Sequence, residues 1–205
     1  MTTESTASVP SRGPAEHDVR HQIIVAAREH FSHYGYEKTT VSELAKSIGF
    51  SKAYIYKFFD SKQAIGEAIC ADCLQGIEAD ARAAVASASS PPEQLRRLFQ
   101  SLPAAVLRLF SEDRKLYEIA IFAAAGRWPA TLTYEARLQE LLRDILVQGR
   151  AEGQFERKTP IDDVTIATYL VLRPYLNPLL LQHSFAHFDV APTQLANLVL
   201  RSLSP

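Results

Sequence analysis

The sequence predicts an all-α protein, and three observations carry that prediction. Thr40-Val41-Ser42-Glu43 has the form of a capping box, and Gly49 and Ser51 follow it closely, so one short helix ends and another begins across a tight corner. Leu138, Leu141, Leu142, Ile145, Leu146 and Gly149 recur at the spacing of a helix with one apolar face. Beyond Pro92 no stretch alternates apolar and polar residues as a half-buried strand would.

Taken in order, residues 1–17 are rich in Ser, Thr and Pro and read as a mobile tail. Order is expected from Asp18, with Ile24, Ala27, Phe31 and Tyr34 on one stripe and Gly35 as the stop of the first helix. The Thr40 helix and the Ser51 helix complete a three-helix unit over 18–69, with a core of Ile24, Ala27, Phe31, Leu44, Ile48, Ile55 and Phe59. Asp60 and Ser61 offer caps for a long helix from Lys62 to Val85, which leads out of that unit into a second one, 70–205. After a Ser, Ala and Pro break, Pro92 opens a helix towards Phe110 that Pro103 is expected to kink or split. Ser111 is the expected cap of a segment ending at Gly126, and Pro129 opens another that Gly153 closes. From Asp162 to Leu181 apolar residues point almost all round, which predicts burial on more than one side, and Pro174 and Pro178 should bend or divide that helix. A last helix runs from Pro192 to Leu203.

Composition narrows the function. A net charge of -1 excludes a bulk polycation, so affinity for a polyanion must come from a local patch. Such a patch exists: between Lys46 and Lys62 stand Lys46, Lys52, Lys57 and Lys62 against the single acid Asp60. A tight corner presenting hydroxyls, ammonium groups and phenols on its second helix is how a recognition helix is held for a DNA major groove. No apolar run approaches the roughly 20 residues that cross a bilayer, and the N-terminus carries no signal-peptide pattern, so a cytoplasmic protein is expected. Two cysteines in 205 residues make no disulfide framework.

The N-terminal unit resembles the TetR/AcrR family of bacterial transcriptional repressors. The residues that carry the likeness are Arg20, Ile23, Ile24, Ala26-Ala27, Phe31, Gly35-Tyr36, Thr39-Thr40-Val41, Leu44-Ala45, Gly49-Phe50-Ser51-Lys52, Ile55-Tyr56, Phe59 and Ser61-Lys62. Beyond about Ile69 the likeness is one of layout, with weak support from Gly126-Arg127-Trp128-Pro129 and Gly153-Gln154-Phe155. The resemblance implies about nine helices, a homodimer, a palindromic operator of double-stranded DNA, and release by a small-molecule effector. It implies phosphate contacts from Thr40, Ser51, Tyr56 and Lys62, and phosphate or base contacts from Lys52 and Tyr54, with Ala53 and Lys57 completing the DNA-binding set. Tyr54 stands where a small residue is common, and Lys57-Phe58 replaces a pair that often contains His, so the operator sequence does not carry over.

The other constellations are weaker. Aromatic residues of the second unit are core by default, and Tyr117, Phe122, Trp128 and Tyr169 are the set expected to line an effector pocket. Val171, Tyr175, Leu179, Leu195, Leu198 and Val199 are expected at a four-helix dimer contact. Cys70 and Cys73 form a C-x-x-C pair inside a helix, which reads as two small buried residues, with a redox-sensing repressor as the alternative. His183 and His187 have metal-ligand spacing but no further ligand, so neither a metal nor a cofactor is predicted. There is no Gly-rich phosphate loop and no coherent nucleophile and base cluster, and so no sign of an enzyme. The rival from another class is an all-helical protein-interaction module without sequence-specific DNA binding.

Overall fold

The computed structural model describes residues 16–205, and among them every regular element is helical. The expected tail, 1–17, lies outside the described residues except for its last two, which already belong to α1 (Glu16–Tyr34). Gly35 ends α1 with φ +87°, a left-handed conformation that glycine adopts without steric cost. In α2 (Val41–Ser47) the capping box is complete: Glu43 N–H donates to Thr40 Oγ1 at 3.2 Å, and Thr40 N–H donates to the Glu43 carboxylate at 2.8 Å. Gly49, at φ +73°, turns the chain, and Ser51 caps α3 (Lys52–Ile55) by accepting from Tyr54 N–H at 3.1 Å. Regular α-helix in α3 lasts one turn, after which tighter bonds such as Phe58 N–H to Ile55 C=O carry the winding to Phe59.

Ser61 caps α4 (Lys62–Ala86), the helix that leaves this unit. There follow α5 (Pro91–Glu112), α6 (Arg114–Ala125), α7 (Pro129–Ala151), α8 (Ile161–Leu172), α9 (Pro178–Leu181) and α10 (Ala191–Ser202), with 3₁₀ turns at Arg173–Tyr175 and Phe185–His187. The ten α-helical segments among the described residues exceed the nine expected because α9 is a single turn left over where the apolar stretch divides at its two prolines.

Two expectations fail for local reasons. Pro103 does not split α5, which runs unbroken from Pro91 to Glu112. Leu95, Leu98, Phe99, Leu102 and Val106 are all buried along one face, so packing on both sides of the proline keeps the helix unbroken although the proline lacks an N–H. Ser111 is not a cap: its hydroxyl donates back to Leu107 C=O at 2.9 Å inside α5, and Asp113 caps α6 by accepting from Leu116 N–H at 2.9 Å.

Two apolar cores result. The N-terminal one contains Ile23, Ala27, Phe31, Leu44, Ile55 and Phe59, with Ile24 also buried and Ile48 only half-buried at its edge. Tyr34, expected on the same stripe, is exposed and lies against the His30 and His33 rings instead. The core is closed by residues from far along the chain, namely Leu116, Ile119 and Ala123 of α6 and Trp128 beyond it. The second core joins α4, α5, α7, α8 and α10, and burying each of its Leu or Phe side chains stabilises by about 1.5–3 kcal/mol. Gly149 belongs to the apolar stripe of α7 for a steric reason: a Cβ there would lie 2.0 Å from Phe155 Cδ2, so only glycine lets that ring lie on the helix.

Candidate functional site

The α2–α3 corner presents Ser51, Lys52, Ala53, Tyr56 and Lys57 to solvent. The Ser51 hydroxyl accepts the cap bond, which leaves its proton free to donate to a phosphate. The Lys52 ammonium lies 5.8 Å from the Tyr56 ring and the Lys57 ammonium 5.7 Å from the Tyr54 ring, so aromatic faces hold both cations near the surface of the corner. Tyr54 is half-buried, edge-on to Phe50 at 5.0 Å and to Phe58 at 5.3 Å. Its ring therefore props α3 against the turn that leads into it.

The structure gives Thr40 and Lys62 internal hydrogen bonds, with Thr40 exposed and Lys62 half-buried. Thr40 commits both its N–H and its hydroxyl to Glu43, and those two bonds hold the Glu43 carboxyl below the usual carboxylate range. Lys62 donates all three ammonium protons to backbone carbonyls, those of Tyr36, Glu37 and Thr39, each at 3.1 Å, and lies 4.7 Å from the Tyr36 ring. With three N–H bonds made, no proton of that ammonium remains for a phosphate. Lys62 instead ties the start of α4 to the loop that leads into α2.

That loop is also held from the other side. Trp128 is 6% exposed and packs on Tyr36 at 6.1 Å, while Phe122 lies 5.5 Å from the same ring. Gly66 of α4 sits beneath: a Cβ there would come within 2.8 Å of Tyr36 Cε2 and 3.2 Å of Trp128 Cη2. Gly126 makes similar room, since its Cβ would stand 2.8 Å from Trp128 Nε1. Phe122 and Trp128, expected in the effector pocket, thus belong to the seam between the two units. At Gly126 close approach, not backbone freedom, requires glycine, because it keeps helical dihedrals and Arg127 takes the left-handed position at φ 49°. The helix end is a Schellman motif, with Trp128 N–H donating to Ala123 C=O at 2.9 Å and Arg127 N–H to Ala124 C=O at 3.3 Å. Farther along the seam Ser32 donates to Asp113 and Lys115 to His33 C=O, pinning α1 on α6.

A cavity of about 80 Å³ opens where α4, α6, α7 and the 173–178 segment meet. Of the four expected pocket residues, Tyr169 lines it, and Tyr117 stands behind it, donating to Pro178 C=O at 3.4 Å. The sequence reading missed Arg127, Tyr134 and Arg173. One signal was available: Arg173 is the only Lys, Arg, Asp or Glu between Asp163 and Asp189, a lone charge in an apolar run. Cys70 also reaches this cavity, and burial pushes its thiol up to about 12, with Cys73 half-buried and also raised. Thiols held protonated in this way are poor nucleophiles and poor redox sensors.

On the outer face of the second unit, Ile166 and Leu170 of α8 are about half exposed, as is Leu198 of α10 at 55%. Val199, expected at the dimer contact, is instead buried at 6% in the chain's own core, and Val171, Tyr175 and Leu195 are half-buried against it. Leu179 is exposed on α9. Among the described residues no three His, Cys, Asp or Glu side chains gather as a metal site would require, His183 and His187 included.

Comparison with known proteins agrees with this geometry. Residues 23–69 match the family described as "Bacterial regulatory proteins, tetR family", and residues 91–198 match "Tetracyclin repressor-like, C-terminal domain". The chain is 31% identical over 166 residues to the nucleoid occlusion factor SlmA of Mannheimia succiniciproducens, covering 74% of this chain and 71% of that protein. It is 24% identical over 150 residues to the HTH-type transcriptional repressor KstR2 of Mycolicibacterium smegmatis, covering 70% of each. Among solved structures, the TetR family regulator PfmR of Thermus thermophilus superposes with a TM-score of 0.58 at 26% identity, over 90% of this chain and 100% of that one. A TetR/AcrR regulator of Thermobifida fusca shares the fold, with a TM-score of 0.65 at 23% identity over 89% of this chain and 97% of that one.

Proposed function

The chain belongs to the tetR family of bacterial regulatory proteins, and from that membership we propose a dimeric repressor that holds a palindromic operator until a small effector enters the cavity at Tyr134, Tyr169 and Arg173. The observation that carries this reading is the α2–α3 corner, a capped pair of helices exposing Ser51, Lys52, Ala53, Tyr56 and Lys57 on a chain with no net positive charge. DNA affinity then rests on a few local cations, and a second copy doubles them. The apolar residues Ile166, Leu170 and Leu198 supply a surface on which two copies can pair by a two-fold axis. Two recognition helices would then sit about 34–36 Å apart, one turn of DNA.

The seam supplies the link between the two sites. Arg127 borders the cavity, its neighbour Trp128 rests on Tyr36 and Gly66, and Lys62 holds the Tyr36 backbone that leads into α2. Expansion of the cavity pushes on the α6–α7 turn and so on the loop that orients the recognition corner. A coupling of about 1–3 kcal/mol would change operator affinity roughly 5–150-fold. Among the described residues no helix is long and apolar enough to cross a membrane, and the reading places the protein in the cytoplasm, without a catalytic role.

Titration of the purified protein against duplexes from the DNA flanking its own gene, and against random duplexes, over a series of salt concentrations tests the reading. One flanking site should bind at least about 10³-fold tighter than random DNA. Equal affinity for all duplexes would sink the repressor reading and favour a protein-interaction role.

A further inference from the structure

Tyr134 and Arg173 both line the cavity, and each carries a buried polar atom, the Tyr134 hydroxyl and the Arg173 Nε, that has no hydrogen-bond partner among the described residues. An unpaired buried polar group is costly, more so when it is charged, so two of them on residues that line one cavity point to a partner the chain itself does not supply. Tyr134 is 8% exposed, and burial holds its phenol protonated well above its ordinary range, which makes it a hydrogen-bond donor at any physiological pH. A third observation is conformational. Arg127 occupies a left-handed position at φ 49°, which an L residue other than glycine enters only against a steric penalty, although glycine commonly serves there in helix ends of this kind. Strain of that sort, observed beside a cavity, points to a side chain wanted at that place.

The charged groups on the wall are Arg127 and Arg173 against Glu135, an excess of one positive charge. The rest of the wall is largely apolar, with Leu74, Ala120, Ala124 and Leu176 among its members. We infer that the effector is a small monocarboxylic acid with a compact apolar body, its carboxylate received by Arg173 and the Tyr134 hydroxyl and screened at the entrance by Arg127. This inference rests on the repressor reading for its biological sense, though the binding it describes does not. A planar carboxylate accepts from a guanidinium and a phenol at once, and removal of water from the cavity strengthens both bonds. The cavity, at about 80 Å³, is smaller than the roughly 150 Å³ that admits benzene. Entry of even a single ring must therefore displace the wall, and Arg127 at the α6–α7 turn is the part of it joined directly to Trp128.

The test uses the full chain. Benzoate, phenylacetate and hexanoate, each paired with its neutral primary amide, are titrated while the emission of Trp128, the protein's single tryptophan, is recorded. At least one acid should bind ten-fold or more tightly than its amide. Arg173→Gln should remove that preference while leaving amide binding in place, and Tyr134→Phe should weaken the acid several-fold. Should Arg173→Gln fail to fold by circular dichroism, Arg127→Gln, on an exposed residue, is expected to reduce the preference less but in the same direction. If no acid is preferred over its amide, or if the preference survives both arginine changes, the inference is overturned. Operator binding that ignores every acid would also overturn it and leave the repressor reading standing, whereas acid binding without operator preference would do the reverse.

Discussion

The α2–α3 corner and the cavity proposed for the effector are built by opposite means. The capping bonds that shape the corner each span three residues: Thr40 with Glu43, Ser51 with Tyr54, Ser61 with Ala64. The cavity instead gathers Cys70, Ala120, Tyr134, Tyr169 and Pro178, residues more than a hundred positions apart at the extremes. The corner is thus a local object that needs a core only to sit on, and the cavity is a product of the whole second unit. A site of the first kind tolerates change elsewhere; a site of the second kind registers it, which suits a sensor.

The sharpest way to break that contrast is at the seam that joins the two. Trp128→Ala removes a buried indole that touches both Tyr36 and Gly66, and should cost about 3–5 kcal/mol in denaturant unfolding. Operator affinity of the fraction that stays folded should no longer respond to the effector. An unchanged response would show that the seam does not carry the signal.

Lys62 and Lys52 separate position from contact. Lys62→Met should destabilise by about 1–2 kcal/mol through three lost bonds from a half-buried ammonium, with the salt dependence of DNA binding left intact. Lys52→Ala should leave stability alone and lower the slope of log affinity against log salt by about 1. A slope change of that size in Lys62→Met would return Lys62 to the phosphate-contacting set.

Ser51→Ala tests the local construction itself. Loss of the cap should cost about 1 kcal/mol, read as a shift in the unfolding midpoint, and should weaken DNA binding without altering effector affinity. The smallest effect belongs to acid. Glu78 is desolvated, which opposes ionisation, but hydrogen bonds from Arg82 at 2.8 Å and Arg137 at 3.4 Å outweigh this and hold its carboxyl below the ordinary glutamate range. Its folded value lies under its unfolded one, so its contribution is present at neutral pH and lost as pH falls through the folded value. Midpoints measured down an acid series should show Glu78→Gln losing less than the parent over that interval.

The same contrast explains what could be read from the sequence. The caps at Thr40, Ser51 and Ser61, the Gly49 corner and the α7 stripe depend on neighbours in sequence, and each stands where the residues put it. Whether a cap serves depends on which of two nearby hydroxyl or carboxylate groups reaches the N–H first, and at α6 Asp113 does so ahead of Ser111. Pro103 does not split α5 because the packing that keeps the helix whole comes from α4 and α10, far away in sequence. The internal bonds of Lys62 were not legible because its three carbonyl acceptors lie at residues 36, 37 and 39, a closure no helical spacing announces. Phe122 and Trp128 were assigned to a pocket as aromatics, when glycine at 66 and 126 was the sign that a large ring passes close to backbone there.

Arg127 carries a consequence for the protein's history. A glycine at that position would relieve the left-handed backbone at once, so selection for heat tolerance alone should find Arg127→Gly early. On the proposed reading such a descendant would survive warming and still bind its operator, yet respond poorly to its effector. Arginine at that position then exchanges backbone ease for responsiveness.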